Sequence, residues 1–293
     1  MNQVLKSTSS GRLSEKEARN NPLILDKAYH QIILALHATR FLLTKQVTTL
    51  IGLNQSSAHR RLTRLYVHRY VDRHPWPVPG NHRHTYTLDR LGIGYAAYAA
   101  GVPEKELRKR QTREVSPYFL QHYLDIADIY VALTVAVKTT DTSLTWRSEV
   151  EASDHYKLSS GRNRKLEPDA VFALTGPGII STLVFLEVDR ATESVRQWSQ
   201  KLRDYNDYFL SGQVARRWPL PPRVLVLVTT PDLKRLERLR RFTAGGDRWQ
   251  ARMGGAQIPI GFTVHEALQP GRILGLPWAG LEEGESLRLV EAR

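Results

Sequence analysis

Asp169, Glu187 and Asp189 are the carboxylates whose setting suggests chemistry. They lie in LEPDAVFALTGPGIISTLVFLEVD, residues 166–189, where apolar runs at 170–174 and 181–188 flank Thr175-Gly176-Pro177-Gly178. Two apolar runs joined by Gly/Pro punctuation read as a β-hairpin. A turn centred near Pro177 folds Asp169 back to the level of residues 185–187, so acids 18 positions apart become neighbours. By the period of two, Glu187 and Asp189 share one strand face, while Leu186 and Val188 take the other. Carboxylates gathered at one end of an apolar hairpin repel unless a cation lies between them. A hard divalent ion with oxygen ligands, Mg2+ or Mn2+, suits that place.

The elements that must position these acids alternate in type. A long amphipathic helix at 117–140 precedes a strand at 144–150, and the hairpin follows. The next helix runs to 209 with Trp198, Leu202, Tyr205 and Phe209 on one stripe, bordered by Lys201. RVLVLVT, 223–229, reads as a buried strand, 231–242 as a basic helix and 261–264 as a further strand. This alternation predicts an α/β sandwich over 117–293.

The 293 residues are enough for two domains. The formal charge is +13, and it is unevenly placed: residues 1–116 carry 19 Lys+Arg against 8 Asp+Glu, the rest 23 against 21. A basic N-terminal portion implies a polyanionic partner. No apolar run is long enough to span a membrane, and the N-terminus lacks the apolar centre of a signal peptide. The absence of cysteine excludes disulfides and thiolate metal sites and fits a cytoplasmic protein.

Within that basic portion, residues 1–22 have no hydrophobic period and read as a flexible arm. Helical spacing follows at 26–39, then a connector at 41–43, a helix capped by Thr44 and stopped by Gly52, and a third helix from 54 to about 68. A strand near 70–72, a loop HPWPVPGNHRH and a returning strand at 85–88 complete the pattern. The third helix buries Ala58, Leu62 and Leu65 and turns Ser56, Arg60, Thr63 and Arg64 outward, with His59 and Arg61 flanking. Arg60 and Arg64 suit base or phosphate contact, Ser56 and Ser57 suit phosphate at the helix start, and His82, Arg83 and His84 in the loop suit the DNA backbone or minor groove. A small-residue helix at 89–101, with Tyr95 and Tyr98, could pack against a second copy as a homodimer, and 102–116 reads as a linker that could form a helix.

Three resemblances follow from these residues. Residues 24–100, three helices and then strand, loop, strand, resemble winged helix-turn-helix domains, which implies duplex DNA as a partner. Pro168-Asp169 and Glu187-Val188-Asp189 resemble the PD-(D/E)xK nuclease superfamily, whose restriction-endonuclease-like core has the same element order. Asp189 stands where that family's lysine belongs; the resemblance implies that Lys201, on the following helix, takes the lysine's part. It also implies an additional upstream metal-binding acid, Glu149 or Glu151, beside the metal ligands Asp169 and Glu187, and a Mg2+-dependent nicking or cleaving activity. The combination of winged helix, PDAVFAL, FLEVDRATES and KLRDYNDY resembles the replication-relaxation family of plasmid and mobile-element proteins, which implies replication or mobilisation proteins as partners. The alternatives are a degenerate nuclease fold kept for binding or dimerisation, and a transcriptional regulator whose α/β domain senses a ligand.

Overall fold

The computed structural model describes residues 12–75, 84–112, 115–191, 193–218 and 223–292. The chain divides into two compact units, Met1–Val131 and Ala132–Arg293. In the first unit the order is α1 (Glu15–Asn20), α2 (Lys27–Thr39), β1 (Leu42–Leu43), α3 (Thr44–Ile51), α4 (Gln55–Val67), β2 (Val71–Pro75), β3 (His84–Leu88), α5 (Arg90–Ala100), α6 (Glu104–Thr112) and most of α7 (Pro117–Val137). Asp26 caps α2 by accepting the Ala28 and Tyr29 N–H groups, and Ile32, Ile33 and Leu36 fill the core beneath it. Gly52 ends α3 in the left-handed region at φ 67°, a conformation that a Cβ makes costly. Ala58, Leu62 and Leu65 of α4 are fully buried, as their spacing predicts.

Several local expectations in this unit are corrected. The connector at 41–43 is partly a strand: β1 pairs with β3 (Leu42 opposite Tyr86), making the antiparallel order β1-β3-β2. Thr44 lies inside α3 rather than capping it, and the Leu43 N–H is instead satisfied by Gln46 Oε1 at 2.8 Å. Residues 12–22 of the expected flexible arm are held in place; residues 1–11 lie outside the described set. Arg12 reaches Asp72 at 3.1 Å and Asp89 at 2.5 Å and lies over the Tyr66 ring, while Ser14 and Glu17 form a capping box on α1. These long-range partners leave no hydrophobic period to read. The segment 102–116 contains α6, the helix that the linker reading allowed, and it buries Leu107. The first turns of α7 contribute Leu120 and Leu124 to a cluster with Phe41, and Gln46 Nε2 donates to Leu124 O and Asp128 Oδ1.

The second unit continues with β4 (Ser143–Ser148), α8 (Glu149–Ala152), β5 (Asp154–Lys157), β6 (Asn163–Leu166), β7 (Ala170–Thr175), β8 (Thr182–Val188), α9 (Val195–Leu210), α10 (Gln213–Arg217) and β9 (Arg223–Thr230). It ends with α11 (Leu233–Ala244), β10 (Arg252–Met253), β11 (Ala256–Gln257), β12 (Ile260–Val264), β13 (Trp278–Ala279) and β14 (Ser286–Leu287). The fold is α/β, with a seven-stranded mixed sheet in the order β14-β13-β12-β9-β8-β7-β4. β8, β9 and β12 run parallel, and β7 joins β8 as the expected antiparallel hairpin, Ala170 opposite Leu186. Every residue of β8 is buried, which is why its sequence is apolar almost throughout instead of alternating. Leu183, Phe185, Val224, Val226, Val228 and Phe262 face Trp198, Leu202, Tyr205 and Phe209 of α9 and Leu236 and Leu239 of α11 in one core. The expected strand at 144–150 stops at Ser148, where Glu151 closes a capping box that starts α8. The last two strands, β13 and β14, span two residues each, too few to leave a period in the sequence. No helix among the described residues is long and apolar enough to cross a membrane.

Candidate functional site

The hairpin register brings Asp169 to the C-terminal end of β8. Its N–H donates to Leu186 O at 3.0 Å, and its Oδ2 accepts the Val188 N–H at 2.7 Å. Glu187 points to the α9 side of the sheet and is 1% exposed. The stripe that seats α9 on the sheet also aims two polar groups at Glu187, because positions 201 and 205 are one turn apart. Lys201 Nζ lies 2.5 Å from Glu187 Oε2, and Tyr205 Oη donates to Glu187 Oε1 at 2.7 Å. Lys201 also meets Glu193 Oε1 at 2.8 Å.

Electrostatics follow from this geometry. Burial pushes the Glu187 carboxyl up to about 7; Lys201 opposes that rise, and Asp169 and Glu193 add to it. Burial works against the Lys201 ammonium, yet Glu187, Asp169 and Glu193 hold it well above the ordinary lysine value. Burial, then Glu187, raises the Tyr205 phenol well above its usual range, in keeping with its hydrogen bond to the Glu187 carboxylate. The Lys201 side chain keeps 29% of its surface exposed, so the site has an opening at the lysine.

Asp189 shares the strand face of Glu187 but does different work. It is 3% exposed, and Arg235 of α11 grips it in a fork: Nε to Oδ2 at 2.8 Å and Nη2 to Oδ1 at 2.7 Å. Asp189 Oδ2 also accepts the Ala191 N–H at 3.0 Å, Arg235 Nη2 donates to Glu193 O at 2.9 Å, and His265 Nε2 lies 3.1 Å from Asp189 O. Ala191 takes a left-handed φ of 59°, which this bonding holds in place. The segment after β8 is thereby fixed so that Glu193 returns to Lys201.

The upstream acids lie on α8. Glu151 Oε2 accepts the Ser148 N–H and Oγ–H and its Oε1 pairs with Arg147, so its carboxylate closes a helix cap. Glu149 occupies the first position of α8. Among the described residues no group of three or more His, Cys, Asp or Glu is arranged to hold a metal ion.

The first unit carries the second group of expected residues. On α4, Ser56, His59, Arg60 and Arg64 are exposed, and these four make no side-chain hydrogen bond or ion pair among the described residues. Ser57 and Thr63 are half-buried, and Asn54 Oδ1 caps the helix through the Ser57 N–H at 2.9 Å. Arg61 differs: it pairs with Asp26 at 2.7 Å and lies over Tyr29. An exposed pair is worth about 0–1 kcal/mol, so this is a weak tether. His84 opens β3 opposite Pro75, and His82 and Arg83 lie outside the described residues.

The structure thus brings together Asp169, Glu187 and Lys201 and joins Asp189 to Arg235. Glu193 and Arg235 carry no signal in the sequence, and Tyr205 shows there only as part of the apolar stripe. The spacing of Tyr205 from Lys201, four residues on a helix, is a usable signal. Glu193 and Arg235 arrive through a chain reversal and a second helix, which leave no local pattern.

The family model described as Replication-relaxation matches residues 34–224, a span that takes in α4, the hairpin, Lys201 and Tyr205. Comparison with curated proteins and with solved structures gives no match.

Proposed function

The chain belongs to the replication-relaxation family, and from that premise we propose that it is a duplex-DNA-binding protein of plasmid or mobile-element replication that grips DNA through the outer face of α4. Family membership supports the replication role. The observation that carries DNA binding is the division of α4 into a fully buried apolar face and an outer face on which Arg60 and Arg64 have no side-chain partner among the described residues. Two unpartnered guanidinium groups one helical turn apart, on a helix too polar to hide them, suit major-groove edges and phosphates. The order α2-α3-α4-β2-β3 supports a winged helix-turn-helix reading, with α4 as the recognition helix. In a gel-shift assay with the full chain, Arg60→Ala and Arg64→Ala should each weaken duplex binding by about 1–3 kcal/mol. Unchanged affinity in both variants would contradict the assignment.

A second reading is favoured by the meeting of Asp169, Glu187 and Lys201: a PD-(D/E)xK nuclease-like site that nicks or cleaves DNA. The donor set fits a small divalent ion, because Mg2+ is ordinarily held by one or two carboxylates with water and phosphate oxygens completing the shell. Asp169 and Glu187 would hold it, and it would supply Lewis acidity at phosphate. Lys201, half-buried at the mouth of the site, would place positive charge beside a phosphate oxygen. Tyr205 orients the Glu187 carboxylate. Glu151 is occupied as a helix cap. The alternative is a degenerate site in which Lys201 neutralises the buried acid permanently. Supercoiled plasmid incubated with Mg2+ or Mn2+ separates the two: nicking that disappears in Asp169→Asn supports catalysis, and intact plasmid with every metal supports the degenerate form.

A further inference from the structure

The sequence of α11, LKRLERLRRFTA, holds five basic residues and one acid inside a stretch of chain that is otherwise near neutrality. The helix sorts its cations into two sets. Arg235 turns inward to Asp189, and Arg240 bonds Glu237 and the carbonyls of Leu281 and Glu282. Leu236, Leu239 and Thr243 complete the buried side. Lys234, Arg238 and Arg241 are exposed. Lys234 and Arg238 have no ion pair or side-chain hydrogen bond among the described residues, and Arg241 is 80% exposed with only a 3.8 Å contact to Glu237. Successive helix residues turn by about 100°, so these three fall within a stripe roughly 60° wide and about 10 Å long. Phosphates along one strand of B-DNA advance about 3.4 Å each, so the stripe spans about three of them.

The place of the stripe adds to its charge. α11 begins beside the C-terminal end of β9, and its Arg235 holds Asp189, two residues beyond Glu187. Lys234 therefore starts the stripe next to the segment that borders the acid–lysine site.

We propose that the exposed face of α11 is a second contact for duplex DNA, one that meets the phosphate backbone without reading sequence and acts separately from α4. This rests on the DNA-binding reading above and extends it to the second unit. Each phosphate neutralised contributes roughly 0.9 to the slope of log K against log salt, so three contacts contribute up to about 2.7. The test is a salt titration of the full chain on long linear duplex DNA, comparing the parent with K234A/R238A/R241A and with R60A/R64A. From 50 to 200 mM salt the parent should lose roughly 40-fold more affinity than the triple variant. Glu237→Gln, which removes the one acid beside Arg241, should bind more tightly than the parent. All the substituted groups are on the surface, so an unchanged melting curve separates lost contact from lost fold. An unchanged slope in the triple variant overturns the inference and leaves α4 standing. A lowered slope in the triple variant, with no effect of R60A/R64A, upholds it and removes α4. A parent chain with no affinity for duplex DNA removes both.

Discussion

The outer face of α4 and the α9–α11 side of β8 treat charge in opposite ways. On α4, Arg60 and Arg64 are left in water while the apolar stripe is buried. At β8 the acids are buried, and each is matched by a cation from another helix: Lys201 on Glu187 and Arg235 on Asp189. An exposed cation costs the fold little and stays available to a partner. A buried ion pair contributes little net stability, but removal of one member leaves an uncompensated charge in a low-dielectric core. The first arrangement is suited to binding a polyanion, and the second to holding a fixed set of groups in one geometry. Asp189 illustrates the difference. Arg235 makes it a structural anchor, while Lys201 brings an ammonium from α9 to Glu187.

The comparison is broken most directly at Arg235. Arg235→Ala should destabilise the second unit by about 3–5 kcal/mol, read by urea unfolding. Tryptophan fluorescence will report mainly that unit, because only Trp76 of the chain's 6 tryptophans lies in the first. A loss below about 1 kcal/mol, the range of exposed pairs, would contradict the buried-anchor account. On the α4 side, Leu62→Ala should cost about 2–5 kcal/mol in the first unit, whereas Arg60→Ala should change stability by no more than about 0.5 kcal/mol. Equal costs for the two would erase the division of α4 into a core face and a free face.

A smaller effect sharpens the electrostatic side. The folded Glu187 carboxyl titrates near 7, above its ordinary 4.5, because it is buried. The folded chain therefore holds a proton there that the unfolded chain releases. The stability that this provides is present below about pH 4.5 and declines as pH rises through about 7. Glu187→Gln should flatten that segment of the stability profile. An unaltered decline in the variant would assign it to another group.

What could be read in the sequence and what could not divide along the same line. The face of α4, the hairpin at Gly176-Pro177-Gly178 and the seating of α9 were legible because each depends on a local period or a turn residue. Asp169 and Glu187 could be paired across the hairpin because register follows from turn position. The Asp189–Arg235 fork was not legible, since it joins residues 46 apart and nothing near Arg235 distinguishes it from the four other basic residues of α11. The placement of residues 12–22 failed for the same reason: Arg12 finds Asp72 and Asp89 about 60 and 77 positions away. β1 was hidden because two residues carry no alternation. Lys201 could be placed on the border of the α9 stripe, and it meets Glu187, whereas Tyr205 was read only as part of that stripe.

The central claim is that the charge left exposed on the chain serves duplex DNA. The direct measurement is the affinity of the full chain for duplex DNA across salt. If about six phosphates are neutralised, affinity should fall on the order of 10³-fold between 50 and 200 mM. An affinity that does not change with salt, or no binding at the lower concentration, would contradict the account.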